Sequence, residues 1–587
     1  SSEDGYEIQV TYQLPDADWV DAVLEQGDAF IMKFSPAELV GLESYAVISV
    51  EATVNPSAGD GGSPPMVHDP VDLYVPGWGS CLAMGTVSNG SDSINQELAD
   101  SMVSVIYKYA GPGGNGDRGH IVEPNQTIAT IAQARAVEEI IAAQEPSPRT
   151  IMPVMVVYTA EASGGGAAEF DIIYTGEAEA GVTPEPNSEN LKKHYINLIR
   201  IVKTLQGAKD AEHPYPGSIV LNPDLMGAWQ QNEKTQFDPN YRNEDGTWKT
   251  IVIKQALEDA VAWVKANDGA SDLDPEVIPE SIAEDVTGFV QSQNFVIRQY
   301  GPDVTFGWQI NLWAPGSSNW THTRYKSQRE LWTKVSSTVT NFFDTLGVHA
   351  GEWSPDFITF DKYERDGLGN QAKDLGYAYN SLDWENYLSF VKQITDYYNK
   401  PALLWQIPGG HMPTIGEAEG QYDIVSHAAT GGPYFLGDKA ITSLDDIKPE
   451  VLNLTLPGTV QTYGEGVDSV HIHLLEDPDF DWTKQRLRKA AFSNAFAILW
   501  GGGSTTSVVD IGSSGNDNGW LSERVKNYYD YGCMEIHDGP PSAAGEVTSV
   551  GDTISGNPLL DGPLIDNTPT FNSEVLISEV AEGEWVE

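Results

Sequence analysis

Eight short apolar runs, at 71–77, 102–110, 151–160, 218–224, 305–313, 356–364, 402–408 and 496–502, each end in a polar or aromatic cluster. Most are separated by a stretch with helical periodicity. The runs are rich in Val, Ile, Leu and aromatic residues and are bounded by Gly, Pro, Asn and Asp. That pattern reads as strands buried on both faces. Strands that alternate with helices are joined by right-handed crossovers into a parallel sheet. Eight such units close into a (β/α)8 barrel of the α/β class, and in that fold the chemistry sits at the C-terminal strand ends.

The intervening segments support this reading. Leu191, Tyr195, Leu198, Ile199 and Val202 recur at helical spacing behind the polar start Asn187-Ser188. Segments 253–266, 279–293, 330–346, 384–398, 482–494 and 521–529 repeat the pattern. The barrel is expected over 67–535. A β-rich module and a Gly/Pro/Ser-rich linker precede it at 1–66, and an irregular strap or linker follows at 536–587.

The 587 residues include 85 acidic and 33 basic ones, for a formal charge of -52. Nucleic acids and anionic membranes need a positive footprint, so neither is an expected partner. No apolar run reaches the roughly 18–20 residues of a membrane span. The dispersed acidity suits a solvated extracellular or cell-surface protein, with structural calcium as an option for its acidic loops. Two cysteines, Cys81 and Cys533, exclude a disulfide scaffold. With 71–77 as the first strand, Cys81 falls at the catalytic end and Cys533 at the opposite end. A bond between them then requires the C-terminal segment to fold back.

The strand ends gather a particular set of side chains. They are Trp78; Lys108 and Tyr109; Tyr158; Asn222 and Asp224, with Trp229 beyond; Trp308, Gln309, Asn311 and Trp313; Asp361 and Glu364; Trp405, Gln406 and His411; and Trp500. Pyranose rings stack their C–H faces on aromatic rings and offer hydroxyls to Asp, Asn, Gln and His. Glycoside hydrolysis needs two carboxyl groups beside the scissile bond. Asp361 and Glu364 are the first candidates, and Asp224 is the third. Trp78, Lys108, Tyr158, Trp229, Trp308, Gln309, Asn311, Trp313, Trp405, Gln406, His411 and Trp500 are candidate sugar-binding groups. Gly227 is read as permitting a tight turn after Asp224. No H-E-x-x-H, phosphate-loop or nucleophile-elbow pattern occurs, so no metal ligand is assigned and no cofactor is expected to be required. His471-x-His473 has a metal-ligand spacing, which leaves a metal-dependent hydrolase as a lesser alternative.

With these residues the chain resembles secreted (β/α)8-barrel glycoside hydrolases such as cellulases, mannanases and chitinases, over about 67–531. The resemblance implies a polysaccharide substrate and carboxylate acid/base catalysis. The chain departs from the large retaining group, which carries Asn-Glu after strand four and a Glu after strand seven. Here strand four ends Asn222-Pro223-Asp224 and strand seven ends Trp405-Gln406-Ile407-Pro408. The alternative of a different class is a non-catalytic carbohydrate-binding or surface-layer subunit that self-associates through its terminal segments.

Overall fold

A computed structural model describes the chain from 70 to 539, apart from 89–90, 112–119, 145–148, 160–173, 176–184, 187, 232–246, 249, 274–277, 323–327, 363–366, 369–376, 418–427, 457–462, 464–465, 503–506 and 510–516. Before residue 70 it describes the backbone of three strands. The chain divides into two compact units, Ser1–Asp69 and Pro70–Glu587. In the first, Tyr6–Gln13 pairs antiparallel with both Val20–Leu24 and Ser49–Pro56. The C-terminal stretch assigned to strap or self-association lies, from residue 540 onward, outside the described residues.

The second unit is a closed eight-stranded barrel. Its strands are β1 (Ala83–Val87), β2 (Val105–Ala110), β3 (Met152–Val157), β4 (Ser218–Leu221), β5 (Thr305–Asn311), β6 (Phe357–Asp361), β7 (Ala402–Ile407) and β8 (Ala495–Trp500). All eight pairings are parallel. The strands are almost wholly buried, because helices cover the outer face and side chains fill the interior. Principal helices in the outer layer are α1 (Asn125–Gln144), α2 (Ser188–Gly207), α3 (Ile253–Asp268), α4 (Val286–Tyr300), α5 (Gln328–Leu346), α6 (Ser381–Tyr398) and α7 (Trp520–Asp530). Caps fix several starts. Asp285 accepts from the Thr287 and Gly288 backbone amides at 2.8 and 3.1 Å. Asn380 and Asp383 form a reciprocal capping box on α6.

One strand differs from the sequence reading. Segment 71–77 is not a strand, and Ala83–Val87 takes the first place in the barrel. Gly85 has the reason written in its surroundings: a Cβ there would lie 2.2 Å from Leu499 Cδ2 and 2.9 Å from Val105 Cβ. The interior at this level is filled by its neighbours, so β1 is small-residue rich and lacks the apolar run of a typical strand.

The shift of the first strand reassigns Trp78 and Cys81 from the catalytic face to the floor. Trp78 donates its indole N–H to Ser218 Oγ at 3.0 Å, at the N-terminal start of β4. Its ring meets Phe496 and Phe357 edge-on, with centroids 4.8 and 6.3 Å away. These rings close the barrel bottom. Cys81 precedes β1 and is bonded to Cys533, with Cα atoms 5.8 Å apart. The segment after α7 runs beside the chain that enters β1. Leu82 N donates to Met534 O at 2.9 Å and Ile536 N donates to Ser80 O at 2.8 Å. Both cysteines therefore lie at one end, and the expected obstacle disappears.

Candidate active site

The C-terminal ends of β4, β5 and β6 bring together two aspartates and two amides. Asp224 follows β4, and Asp361 is the last residue of β6. Between them, β5 turns Gln309 and Asn311 inward. Asn311 Nδ2 donates to Asp224 Oδ1 at 2.7 Å and approaches Asp361 Oδ2 at 3.4 Å. Gln309 Nε2 reaches the same two oxygens at 3.4 and 3.5 Å. The strand period of two produces this: residues 309 and 311 share a face, and Trp308 takes the other.

Burial raises the Asp224 carboxyl to about 6, against the opposing pull of the Asn311 and Gln309 amides. Desolvation disfavours the charged form, and two neutral donors offset only part of that cost. The backbone is also held unusually here. Asn222, Asp224 and Gln406 have φ of 39°, 70° and 51°. Non-glycine residues in the left-handed region carry strain, which gathers at functional sites. Asn222 is pinned at this turn: Thr159 N donates to its Oδ1 at 2.9 Å and its Nδ2 donates to Gln293 Oε1 on α4 at 2.5 Å.

Gly227 acts differently from the expected tight turn. It lies inside the short helix Leu225–Gln231, where a Cβ would stand 2.5 Å from Asn311 Oδ1. Glycine leaves the space in which Asn311 sits. On the opposite side, Gln406 Nε2 donates to Tyr109 Oη at 2.9 Å. A register shift in β7 between Leu404 and Ile407 allows both Trp405 and Gln406 to enter the site. Tyr109, half-buried, meets Trp405 and Tyr158 at 6.3 and 6.1 Å between centroids. Together they form an aromatic wall.

Several buried polar atoms in this region have no hydrogen-bond partner among the described residues: Gln309 Oε1, Asn311 Oδ1, Thr359 Oγ1 and Trp405 Nε1. Buried polar groups are ordinarily hydrogen-bonded, so these atoms are free to meet a polar ligand. Thr359, two residues before Asp361 on β6, was not among the sequence candidates. Its parity with Asp361 is the signal that would have found it.

Other predicted residues lie elsewhere. Trp308 donates to Asn294 Oδ1 on α4 at 2.8 Å and is fully buried in the helix layer. Trp229 packs on Phe289, also of α4, at 5.9 Å. Trp500 points its indole N–H at Met84 Sδ, 3.4 Å away, and packs on Phe435 at 6.0 Å, outside the barrel. Lys108 faces away from Tyr107 and Tyr109 and donates to Ser88 O at 2.9 Å. These four, with Trp78, are engaged in contacts within the fold. Trp313 stays half-buried in the turn after β5. His411 lies beyond β7, with Nε2 2.9 Å from Glu417 Oε1 and its ring stacked on Trp520 at 5.1 Å. Glu364 lies outside the described residues.

No family model matches the chain, and no curated protein matches it. Among solved structures, the fold is matched to glycoside hydrolases. One is a family 39 glycoside hydrolase from the gut symbiont Bacteroides cellulosilyticus WH2, at 11% identity and TM-score 0.26, covering 70% of this chain and 64% of that one. Another is the Ignisphaera aggregans GH53 catalytic domain, at 11% identity and TM-score 0.32, covering 79% and 99%. A third is the Podospora anserina GH26-CBM35 beta-(1,4)-mannanase, at 9% identity and TM-score 0.28, covering 90% and 85%. No residue role is carried over from these structures.

Proposed function

We propose that the protein is a glycoside hydrolase that cleaves a polysaccharide at the C-terminal face of the barrel, with Asp224 and Asp361 as its catalytic pair. The observation that carries this reading is the convergence of the two carboxylates on the Asn311 amide, 2.7 and 3.4 Å away. Asp224, raised to about 6 by burial, is suited to hold a proton and deliver it to the glycosidic oxygen. Asp361 is then the group that faces the anomeric carbon.

The two oxygens touch one nitrogen, so they stand closer than the ~6.5 Å minimum of an inverting pair. This supports a retaining route. Asp361 attacks the anomeric carbon while Asp224 protonates the departing oxygen. The covalent glycosyl ester is then opened by water, which Asp224 deprotonates. Both protons are accounted for by one residue acting first as acid and then as base. Asn311 and Gln309 bridge the pair by donation, and their remaining amide oxygens are placed to accept from sugar hydroxyls. Trp405, Tyr109 and Tyr158 supply the apolar wall.

The Cys81–Cys533 bond supports work outside the cell, because disulfides persist in oxidising compartments. Reducing-sugar release from β-glucans, mannans, xylans and chitin tests the activity. Analysis of the anomer first formed tests the retaining route.

A further inference from the structure

We propose that His322, Asp383 and His473 form a binding site for a divalent transition-metal ion of the zinc type, which ties three loops of the catalytic face together. The three residues are all buried, and their ligand atoms lie within 4.8 Å of one another. His322 ends the short helix after β5, Asp383 sits in the first turn of α6 after β6, and His473 lies on the Val470–Leu474 helix between β7 and β8. Chain segments far apart in sequence thus meet at one point above the barrel.

Two of the donor separations are those of ligands on one ion. His322 Nδ1 is 3.2 Å from Asp383 Oδ1, and His473 Nε2 is 3.0 Å from Asp383 Oδ2. Ligands at ~2.0–2.2 Å from a common metal stand ~3–3.5 Å from one another. A further donor atom, Ala378 O, lies 3.0 Å from His473 Nε2. The orientation of His473 is set from behind: its Nδ1 is 2.8 Å from Glu476 Oε2. A carboxylate that holds one ring nitrogen and leaves the other facing the ligand set is the usual support of a metal-bound histidine. Asn380 Nδ2 donates to the same Glu476 oxygen at 2.7 Å, fixing the carboxylate in turn. Tyr463 and Tyr379 pack around His322, with centroids 4.7 and 5.6 Å away.

Two imidazoles and one carboxylate favour zinc, cobalt or nickel over calcium or magnesium, which prefer all-oxygen sets. The competing description is a metal-free network in which a charged His473 bridges Asp383 and Glu476. The proposal is independent of the glycosidase reading, since no step of that reaction passes through this cluster.

The test is titration of the full chain, stripped by chelator dialysis, with Co2+ alone, followed by visible d–d absorption, with thermal melts in Zn2+ and in Ca2+. One equivalent of Co2+ bound in a nitrogen/oxygen site, and a melting temperature raised by Zn2+ but not by Ca2+, are expected. Glu476→Gln should bind Co2+ about 10–100-fold more weakly, and His322→Ala should lose the d–d bands. His471→Ala, next to the site, should retain them. If His322→Ala fails to fold, the wild-type titration and Glu476→Gln still decide. A folded wild-type chain with no d–d bands and no Zn2+ shift at tenfold metal excess would overturn the proposal in favour of the metal-free network. Binding of Ca2+ alone would overturn the transition-metal assignment.

Discussion

Asn311 donates to Asp224 at 2.7 Å and stands 3.4 Å from Asp361, so a single amide on β5 links the carboxylates that close β4 and β6. Register explains the arrangement. Asn311 is the direct partner of Asp361 in the β5–β6 ladder, and Asp224 comes over from the far side of β5 on a left-handed turn.

Asp224→Asn should remove the proton donor with little disturbance of shape. Asparagine tolerates the φ of 70° at this position well. Turnover should fall by about 10²–10⁴-fold, the usual contribution of acid/base catalysis. Steady-state kinetics and circular dichroism on the same preparation check this.

The same substitution should stabilise the fold in neutral solution. The folded Asp224 carboxyl is raised from 3.8 to about 6. Its contribution is therefore intact at low pH and is lost as pH rises through about 4 to 6, because the unfolded state releases its proton first. Asp224→Asn removes that loss. Melting temperatures of variant and wild type should converge near pH 4 and separate above pH 6, with the variant higher. For activity, the wild type should decline as pH rises past about 6, where the acid is no longer protonated.

Gly227→Ala probes positioning. A methyl group there meets Asn311 Oδ1 at 2.5 Å. Alanine is otherwise preferred in a helix by ~1 kcal/mol. Stability should change little while kcat falls, because the amide between the carboxylates is displaced. A drop in melting temperature as large as that of a core truncation would argue against the positioning role.

Trp78 and Trp405 should separate cleanly. Trp78→Ala opens the barrel floor and should cost about 3–5 kcal/mol of stability, in keeping with loss of a buried Trp. Its effect on KM should be small in the protein that remains folded. Trp405→Ala should instead weaken substrate binding and turnover. Denaturant melts beside kinetics distinguish the two.

Reduction of Cys81–Cys533, or their joint replacement by serine, should lower the melting temperature and leave kcat unchanged. The bond spans 452 residues of sequence and lies at the floor, opposite the catalytic face.

These outcomes bear on what the sequence carries. Seven of the eight barrel strands are legible because burial on both faces demands continuous apolar runs. The first is not: β1 is built around Gly85, whose missing side chain leaves room for Leu499 and Val105. Segment 71–77, with Val71, Leu73, Tyr74 and Val75, mimics a strand. Among the site residues, Asp224, Asp361, Gln309 and Asn311 follow from type and position at strand ends. The tryptophans do not, because proximity to a strand end says nothing about which face is presented. Counting parity back from Asn311 and Gln309 would have turned Trp308 outward. Parity fails at Trp405 and Gln406, where a register shift and a left-handed residue bring neighbours into one site. Such irregularities depend on tertiary context and leave no local signal.

The most direct test of the central claim is reducing-sugar release by the wild type, Asp224→Asn and Asp361→Asn, side by side on a panel of β-linked polysaccharides. The wild type should release sugar from one class, and both folded amide variants should release essentially none. Undiminished release by both variants, or none by a well-folded wild type on any substrate, would contradict the assignment of this aspartate pair.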